Sequence, residues 1–392
     1  MKANIPKLYV SHFLTGLVFW FGIEKLFMQS IGIDATQIGI IIAGFLLFNA
    51  LFDLPSGILA DRWSRKGTLL IAVAGMAICS LILGWSQGFW SYFIGYVLFR
   101  GINVVGTSGT YQAIMYESLL ADKREAQYSK YMGRSYAWFM AGIAISNVLS
   151  GILAGVVDFR FTFFITIVPC LINFFIVWSI REPKAHHSQQ TEHPLTQLVK
   201  SAKIIGQVSI LRSLIVIFSL ISVTEVFKND FGQLYLSRYV SSVEFIGILW
   251  ALAALSWALG NLIAHRLRTR VSWLIAAAVI PLICMSLIDN AFSIVLFMLQ
   301  HVAMAALFNQ IEARVQEATP SSVRSSMISV LSSMGRVVSI PGSIVIGIII
   351  SHYDVVWGLR FATVIAVIAL VFWFIVSRND SVAPKTHKIY KY

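Results

Sequence analysis

Nine ionisable side chains stand inside long apolar runs of this chain: Glu24, Lys25, Asp53, Arg100, Glu225, Lys228, Asp230, His301 and Arg336. A charge surrounded by lipid is costly, so each must face a protein interior or a wet path. The chemistry open to such residues is reversible: carboxylates bind and release protons, guanidinium groups hold anions, and ion pairs form and break. Helical spacing groups them further. Arg100, Asn103, Thr107 and Tyr111 follow at steps of three, four and four and so share one helix face, as do Ser222, Glu225, Asn229 and Gln233. A third stripe, Ser325, Ser329, Ser332, Arg336, Ser339 and Ser343, suits either hydrogen bonding between packed helices or the wall of a water-filled path.

The acids differ in their expected partners. Glu225 and Lys228 are three residues apart, which allows an ion pair within one helix turn. Glu24 and Lys25 are adjacent and point about 100° apart, which makes Lys25 a poor partner for Glu24. A desolvated carboxylate without a firm partner is poised to take up and release a proton. Glu24, on the Phe13, Leu17, Trp20 and Glu24 face, is therefore the first candidate for proton coupling and Glu225 the second. Lys25 and Asp230 lie close to helix ends and are expected to meet lipid headgroups. His301 is placed to relay a proton or hydrogen-bond a substrate, or to pack as a satisfied core histidine.

The elements that carry these residues follow from composition. The 392 residues are 57% hydrophobic and only 12% charged, about half the charged fraction of an ordinary soluble domain. A bilayer crossing needs roughly 20 apolar residues, and breaking the chain at charged and turn-rich points gives twelve spans: 8–29, 37–60, 67–87, 91–115, 135–157, 161–180, 211–236, 243–264, 272–289, 291–312, 326–351 and 355–377. The first is no signal peptide, since it is long and carries Glu24 and Lys25. The net charge of +12 comes from cations scattered over short loops, without the patch and interleaved aromatics that nucleic acid would require. Nearly all of these loop cations fall on one side; the other side holds only Arg160, Arg238 and Arg360. The positive-inside rule makes the rich side cytoplasmic, with both termini there. A polar stretch at 181–208, holding His186, His187 and His193, reads as a solvated linker with no metal chemistry. It separates an N-terminal unit, 1–180, from a C-terminal unit, 209–380, with a tail at 381–392.

The loop between spans two and three reads Gly57-Ile58-Leu59-Ala60-Asp61-Arg62-Trp63-Ser64-Arg65-Lys66. It resembles the signature G-x-L-A-D-R-x-G-R-K of the major facilitator superfamily, with Ser64 in place of a glycine. Ala264-His265-Arg266-Leu267-Arg268-Thr269-Arg270, after span eight, is its counterpart, so the halves read as repeats. The resemblance implies an all-α membrane protein of twelve transmembrane helices in two pseudo-symmetric six-helix bundles. A binding cavity would lie between the bundles near the midplane, lined by spans 1, 4, 7 and 10. Seven of the nine charges named above lie on those four spans. The cavity residues expected on this basis are Trp20, Glu24, Arg100, Asn103, Thr107, Tyr111, Glu225, Lys228, Asn229, His301 and Arg336. Asp53, Gly57, Asp61, Arg62, Arg65, Lys66 and Glu117 would form a cytoplasmic gate. By the same resemblance, Arg65 pairs with Glu117, and Asp61 meets the start of span 11, where the helix dipole favours a carboxylate.

The expected function is secondary transport of a small organic molecule across a bacterial cytoplasmic membrane by a monomer, with protons as the coupling ion. Asp53-Leu54-Pro55-Ser56-Gly57 with Ala60-Asp61-Arg62 looks most like the drug:proton antiporter branch, which implies export. Its helix 5 signature is reduced here to Gly151 in Ser146-Asn147-Val148-Leu149-Ser150-Gly151. The alternatives are import of an anionic nutrient or metal-chelate, and uniport. No phosphate-binding loop, zinc-protease motif or nucleophile elbow occurs, so neither an enzyme nor a cofactor is expected. Cys79, Cys170 and Cys284 each fall within a span and make neither a disulfide framework nor a metal site. A channel would need a ring or carbonyl filter in place of mixed cations and acids.

Overall fold

The structure, a computed structural model, describes residues 4–62, 64–107, 110–182, 204–267, 271–320 and 324–379; the side chains of 52–62, 103–107, 324–326 and 377–379 are outside the description. Fifteen α-helices and no strands occur among the described residues. The first half contains α1 (Asn4–Gly16), α2 (Glu24–Ser30), α3 (Ala35–Arg62), α4 (Arg65–Trp85), α5 (Phe89–Thr107), α6 (Thr110–Ala121), α7 (Tyr128–Val156) and α8 (Phe159–Trp178). The second contains α9 (Ser209–Val226), a π-helical turn (Phe227–Phe231), α10 (Gly232–Leu236), α11 (Val243–Ala264), α12 (Val271–Leu287), α13 (Phe292–Glu317), α14 (Arg324–His352) and α15 (Val355–Asn379). Among the described residues, eight helical stretches are long and apolar enough to cross a bilayer. The other four spans are α1 with α2, α3, α5 with α6, and α12. The twelve spans form two six-helix bundles. The face where α1 begins and α15 ends is called the terminal face below, and the opposite one the distal face.

Among the described residues, α3 packs extensively against α14, and α7 against α11, joining the two bundles. These are spans 2 with 11 and 5 with 8, two pairs that exchange under the two-fold relation inferred from the repeat. Close backbone approach makes the contact possible near the distal face. A Cβ on Gly39 would lie 2.4 Å from the Ser343 carbonyl oxygen, and one on Gly247 would lie 2.6 Å from that of Asn147. Ser343 donates to the Gly39 carbonyl at 3.1 Å, and Thr36 N–H donates to Ser351 Oγ at 2.9 Å.

The first span departs from its expected continuity, because α1 ends at Gly16 and α2 begins only at Glu24. No proline marks this break in the sequence. It is tolerated because other spans satisfy the freed backbone groups, the condition for irregular chain at membrane depth. Ser146 Oγ donates to the Gly16 carbonyl at 3.1 Å, Phe19 N–H donates to Thr166 Oγ1 at 3.0 Å, and Gln233 Nε2 donates to the Phe21 carbonyl at 2.6 Å. The break invalidates the single Phe13 to Glu24 face. Span 7 is also irregular, widening into the π turn at Phe227–Phe231.

Gly39→Ala should force α3 and α14 apart at their distal contact, at a cost of about 1–3 kcal/mol for overpacking. A lower Tm for the purified variant is the expected result; a wild-type Tm would contradict the close approach.

Candidate functional site

A cavity of about 740 Å³ lies between the bundles. From the first bundle, Phe21, Glu24, Phe45, Arg100 and Asn147 reach its wall. Opposite them, Ser222, Glu225, Asn229 and Gln233 form one continuous stripe along span 7. His301, Ser332, Arg336 and Ser339 complete the polar lining, with Trp250 and Trp257 between them.

The sequence-derived cavity residues divide between this wall and the bundle interiors. Glu24, Arg100, Glu225, Asn229, His301 and Arg336 line the cavity. Lys228 lies just behind the wall, 1% exposed, with Nζ 4.3 Å from the Trp257 ring centroid and 2.5 Å from Glu225 Oε1. Asn229 Nδ2 donates to the other Glu225 oxygen at 3.1 Å, so this carboxylate is bound from its own helix on both sides. Trp20 departs from expectation: it is fully buried inside the first bundle, stacked on Phe163 at 5.0 Å, because the helix break turns it away from the cavity. Tyr111 is also a packing residue, bonded through its hydroxyl to the Leu8 carbonyl and Ser135 Oγ. Its side chain therefore points into the first bundle and is not part of the cavity wall. The side chains of Asn103 and Thr107 lie outside the described residues.

Two residues expected at headgroups are instead central. Lys25 is 1% exposed, with Nζ 3.3 Å from Glu24 Oε2 and 3.6 Å from Asp230 Oδ1. Adjacency does not prevent the Glu24 contact, because α2 starts at Glu24 and both long side chains curl into the same interior gap. Glu24 also accepts from the Tyr92 hydroxyl at 3.2 Å. Asp230 lines the cavity from the π turn, so the Lys25 ammonium spans the interface between bundles. Gln233 reinforces this crossing: its Oε1 accepts from the Lys25 backbone N–H at 2.8 Å while its Nε2 holds the Phe21 carbonyl. Gln233 sat in the recognised stripe, but its contacts with span 1 left no trace in local spacing.

Arg100 is held by aromatic groups. Its guanidinium donates twice to the Tyr96 hydroxyl, at 3.0 and 3.2 Å, and lies over the rings of Phe45 and Phe21 at 4.9 and 5.5 Å. Among the described residues no carboxylate comes within 4 Å of it. The serine stripe on α14 divides along its length: Ser332 and Ser339 face the cavity, whereas Ser343 joins the bundles.

Of the expected gate, the side chains of Asp53, Gly57, Asp61 and Arg62 lie outside the described residues. Arg65 is ion-paired with Glu117 within the first bundle. Ser64 caps α4 by accepting from Gly67 N–H at 2.8 Å, and Glu182 accepts from Ser64 Oγ and from Lys66 N–H. On the distal face Arg238 donates to both oxygens of Asp289 and to Asp354, clasping three loops of the second bundle. Asp289 lies beyond the end of α12, and the bonds from Arg238 hold its carboxyl below the usual carboxylate range. A depressed value contributes stability above the unfolded pKa and loses it only as pH falls through the folded one, so Asp289 keeps its charge above about pH 4.

The sequence profile of the Major Facilitator Superfamily matches residues 8–291. The chain belongs to this superfamily. Members of this superfamily are membrane transporters and not enzymes. Among curated relatives it is similar to the class B tetracycline resistance protein of Escherichia coli, 27% identical over 36% of this chain and 34% of that protein. It is also similar to the multidrug resistance protein MdtG of Escherichia coli O1:K1, 26% identical over 52% of this chain and 50% of the relative. These matches thus span between a third and a half of the relatives' lengths. In fold, this superfamily chain resembles a point-mutant form of the nucleoside transporter NupG, with a TM-score of 0.80 and 16% identity over 95% of this chain and 99% of that one. A bacterial homologue of the human lysosomal transporter Spinster, inward-facing and occupied, gives 0.78 and 16% over 96% of each chain.

Gln233→Leu should orphan both the Phe21 carbonyl and the Lys25 backbone N–H, at about 1–3 kcal/mol for each buried group. Its Tm should fall well below that of Ser222→Ala, whose hydroxyl, among the described residues, bonds the Phe218 carbonyl of its own helix. Equal Tm values would remove Gln233 from the contact between bundles.

Proposed function

We propose that this transporter exports a small organic molecule across the bacterial cytoplasmic membrane by alternating access, driven by protons. In this reading it works as a monomer, the terminal face is cytoplasmic, as the loop cations suggest, and the distal face is external. The observation that carries the reading is the charged cavity between bundles, together with distal contacts made by single glycines, serines and one glutamine. Contacts of that kind can part without unfolding either bundle. The named relatives support export, since resistance to a drug follows when its internal concentration is lowered.

Each part of the wall then has a task. The Arg100 guanidinium, steadied by Tyr96 and two phenylalanine rings, presents donors to an acidic or strongly polar group of the substrate. Trp250 and Trp257 supply apolar area for the rest of the molecule. Glu24 and Glu225 are carboxylates within reach of the cavity and remain candidates for proton exchange. On the terminal face, the Arg65 and Glu117 pair would position the end of α3, which carries Asp61, against the positive end of α14, so that this latch closes when the distal side opens. Import of an anionic nutrient is the second reading, favoured by the lack of a carboxylate within 4 Å of Arg100 among the described residues.

Vesicle transport distinguishes these readings. With labelled tetracycline as the first probe, inverted vesicles should accumulate it when an acid-inside pH step is imposed, and Arg100→Lys, which lacks the planar fork, should weaken apparent affinity by about tenfold or more. Accumulation only in right-side-out vesicles would establish import. Accumulation indifferent to the pH step would remove proton coupling.

A further inference from the structure

Three acids line the cavity, and their counter-charges differ in where they are anchored. Glu225 is bound by Lys228 and Asn229, both on its own helix. Glu24 is paired with the adjacent Lys25 and bonded by Tyr92, both in its own bundle. Asp230 is different, because its ion-pair partner among the described residues, Lys25, belongs to the other bundle. Any movement that opens the distal face carries the two bundles apart there. Glu24 and Glu225 keep their partners through that movement, whereas Asp230 loses its own.

From this we infer that Asp230 is the residue whose protonation releases the distal gate, with Lys25 as its tethered counter-ion in the closed form. The inference rests on the alternating-access reading above and replaces Glu24 and Glu225 as the leading carriers. A carboxylate stripped of its cation in a poorly solvated wall is strongly destabilised, and a proton bound to it removes the charge. The balance is simple: one proton from water reaching the cavity joins an Asp230 oxygen, the Lys25 ammonium keeps its charge, and Glu24 stays as its partner within the first bundle. Reclosing the distal face restores Lys25 opposite Asp230 and returns the proton to water in the cavity.

The local structure suits this exchange. Asp230 sits in the π turn, an irregularity that can shift register and that often marks functional sites. Lys25 follows the break between α1 and α2. Its ammonium makes no well-formed hydrogen bond among the described residues, although two carboxylates lie within 4 Å. It is therefore held by charge between two acids and can settle on one of them. The charged groups acting on Asp230 are Lys25, Arg100 and Glu24 across the interface. From its own bundle, Glu225 with Lys228, His301 on α13 and Arg336 on α14 face the same cavity.

The test needs no substrate. Spin labels on cysteines introduced at Gln87 and Ala291, exposed distal positions in opposite bundles, report the distal separation by pulsed electron resonance in a background with Cys79, Cys170 and Cys284 replaced. Between about pH 8 and about pH 5 the wild-type ratio of distal-open to distal-closed forms should rise by about tenfold. Asp289 stays ionised over this window, so its clasp with Arg238 does not supply the change. Asp230→Asn should be open-shifted at every pH and lose the response, Asp230→Glu should keep it, and Glu24→Gln and Glu225→Gln should keep it as well. A wild-type distance that ignores pH would overturn the inference, even if labelled tetracycline follows a pH step in vesicles. So would a response that survives in Asp230→Asn and disappears in Glu24→Gln or Glu225→Gln. If the response depends on Asp230 but tetracycline does not follow the pH step, the inference stands and the export reading with that probe fails.

Discussion

A charge in a low-dielectric interior needs its opposite nearby, and this requirement organises the centre of the molecule. Lys25 is buried and is stabilised by two carboxylates supplied from opposite bundles. Removing one partner of such a buried pair ordinarily costs about 3–5 kcal/mol. The distal contact is therefore more than apolar helix packing, and its strength depends on the charge state of the acids. The broken first span, the π turn of span 7 and the two bonds of Gln233 all lie within a few residues of this ammonium.

The two levels of contact between the bundles divide the work. Near the distal face, glycines allow α3 to meet α14 and α7 to meet α11 with backbone almost touching backbone, which gives a large seal without long side chains to disentangle. Deeper in, the contact is ionic and polar and surrounds the cavity wall. Substrate groups placed against Arg100 or the span 7 stripe would lie beside the same charges that hold the bundles together. Binding and gating can thus influence each other through short-range electrostatics, with no longer pathway required.

Much of the architecture was legible from the chain because membrane spans announce themselves by length and composition. The stripe Ser222, Glu225, Asn229 and Gln233 was visible in helical spacing and faces the cavity, and the Glu225 and Lys228 pair is present. What escaped was set by tertiary contacts. The break in span 1 depends on donors and acceptors in spans 5, 6 and 7, and Gln233, one of its partners, is 208 residues from Lys25. Once that break is present, Trp20 no longer shares a face with Glu24, and Lys25 turns inward to Asp230. Tyr111 likewise is set by tertiary contacts, its hydroxyl bonding the Leu8 carbonyl and Ser135 Oγ inside the first bundle.

One cavity that faces the two sides of the membrane in turn is the central claim. The most direct test is labelling of Ala254→Cys, on the cavity wall, by a membrane-impermeant thiol reagent applied separately from each face, with the native cysteines replaced. Thr36 and Ser351 have side-chain oxygens 3.0 Å apart across the distal contact, so cysteines at both positions provide an oxidisable lock. Labelling from both faces is expected, with distal labelling lost and terminal-face labelling kept once the lock is oxidised. Labelling confined to one face under all conditions, or distal labelling that persists through the lock, would contradict the account.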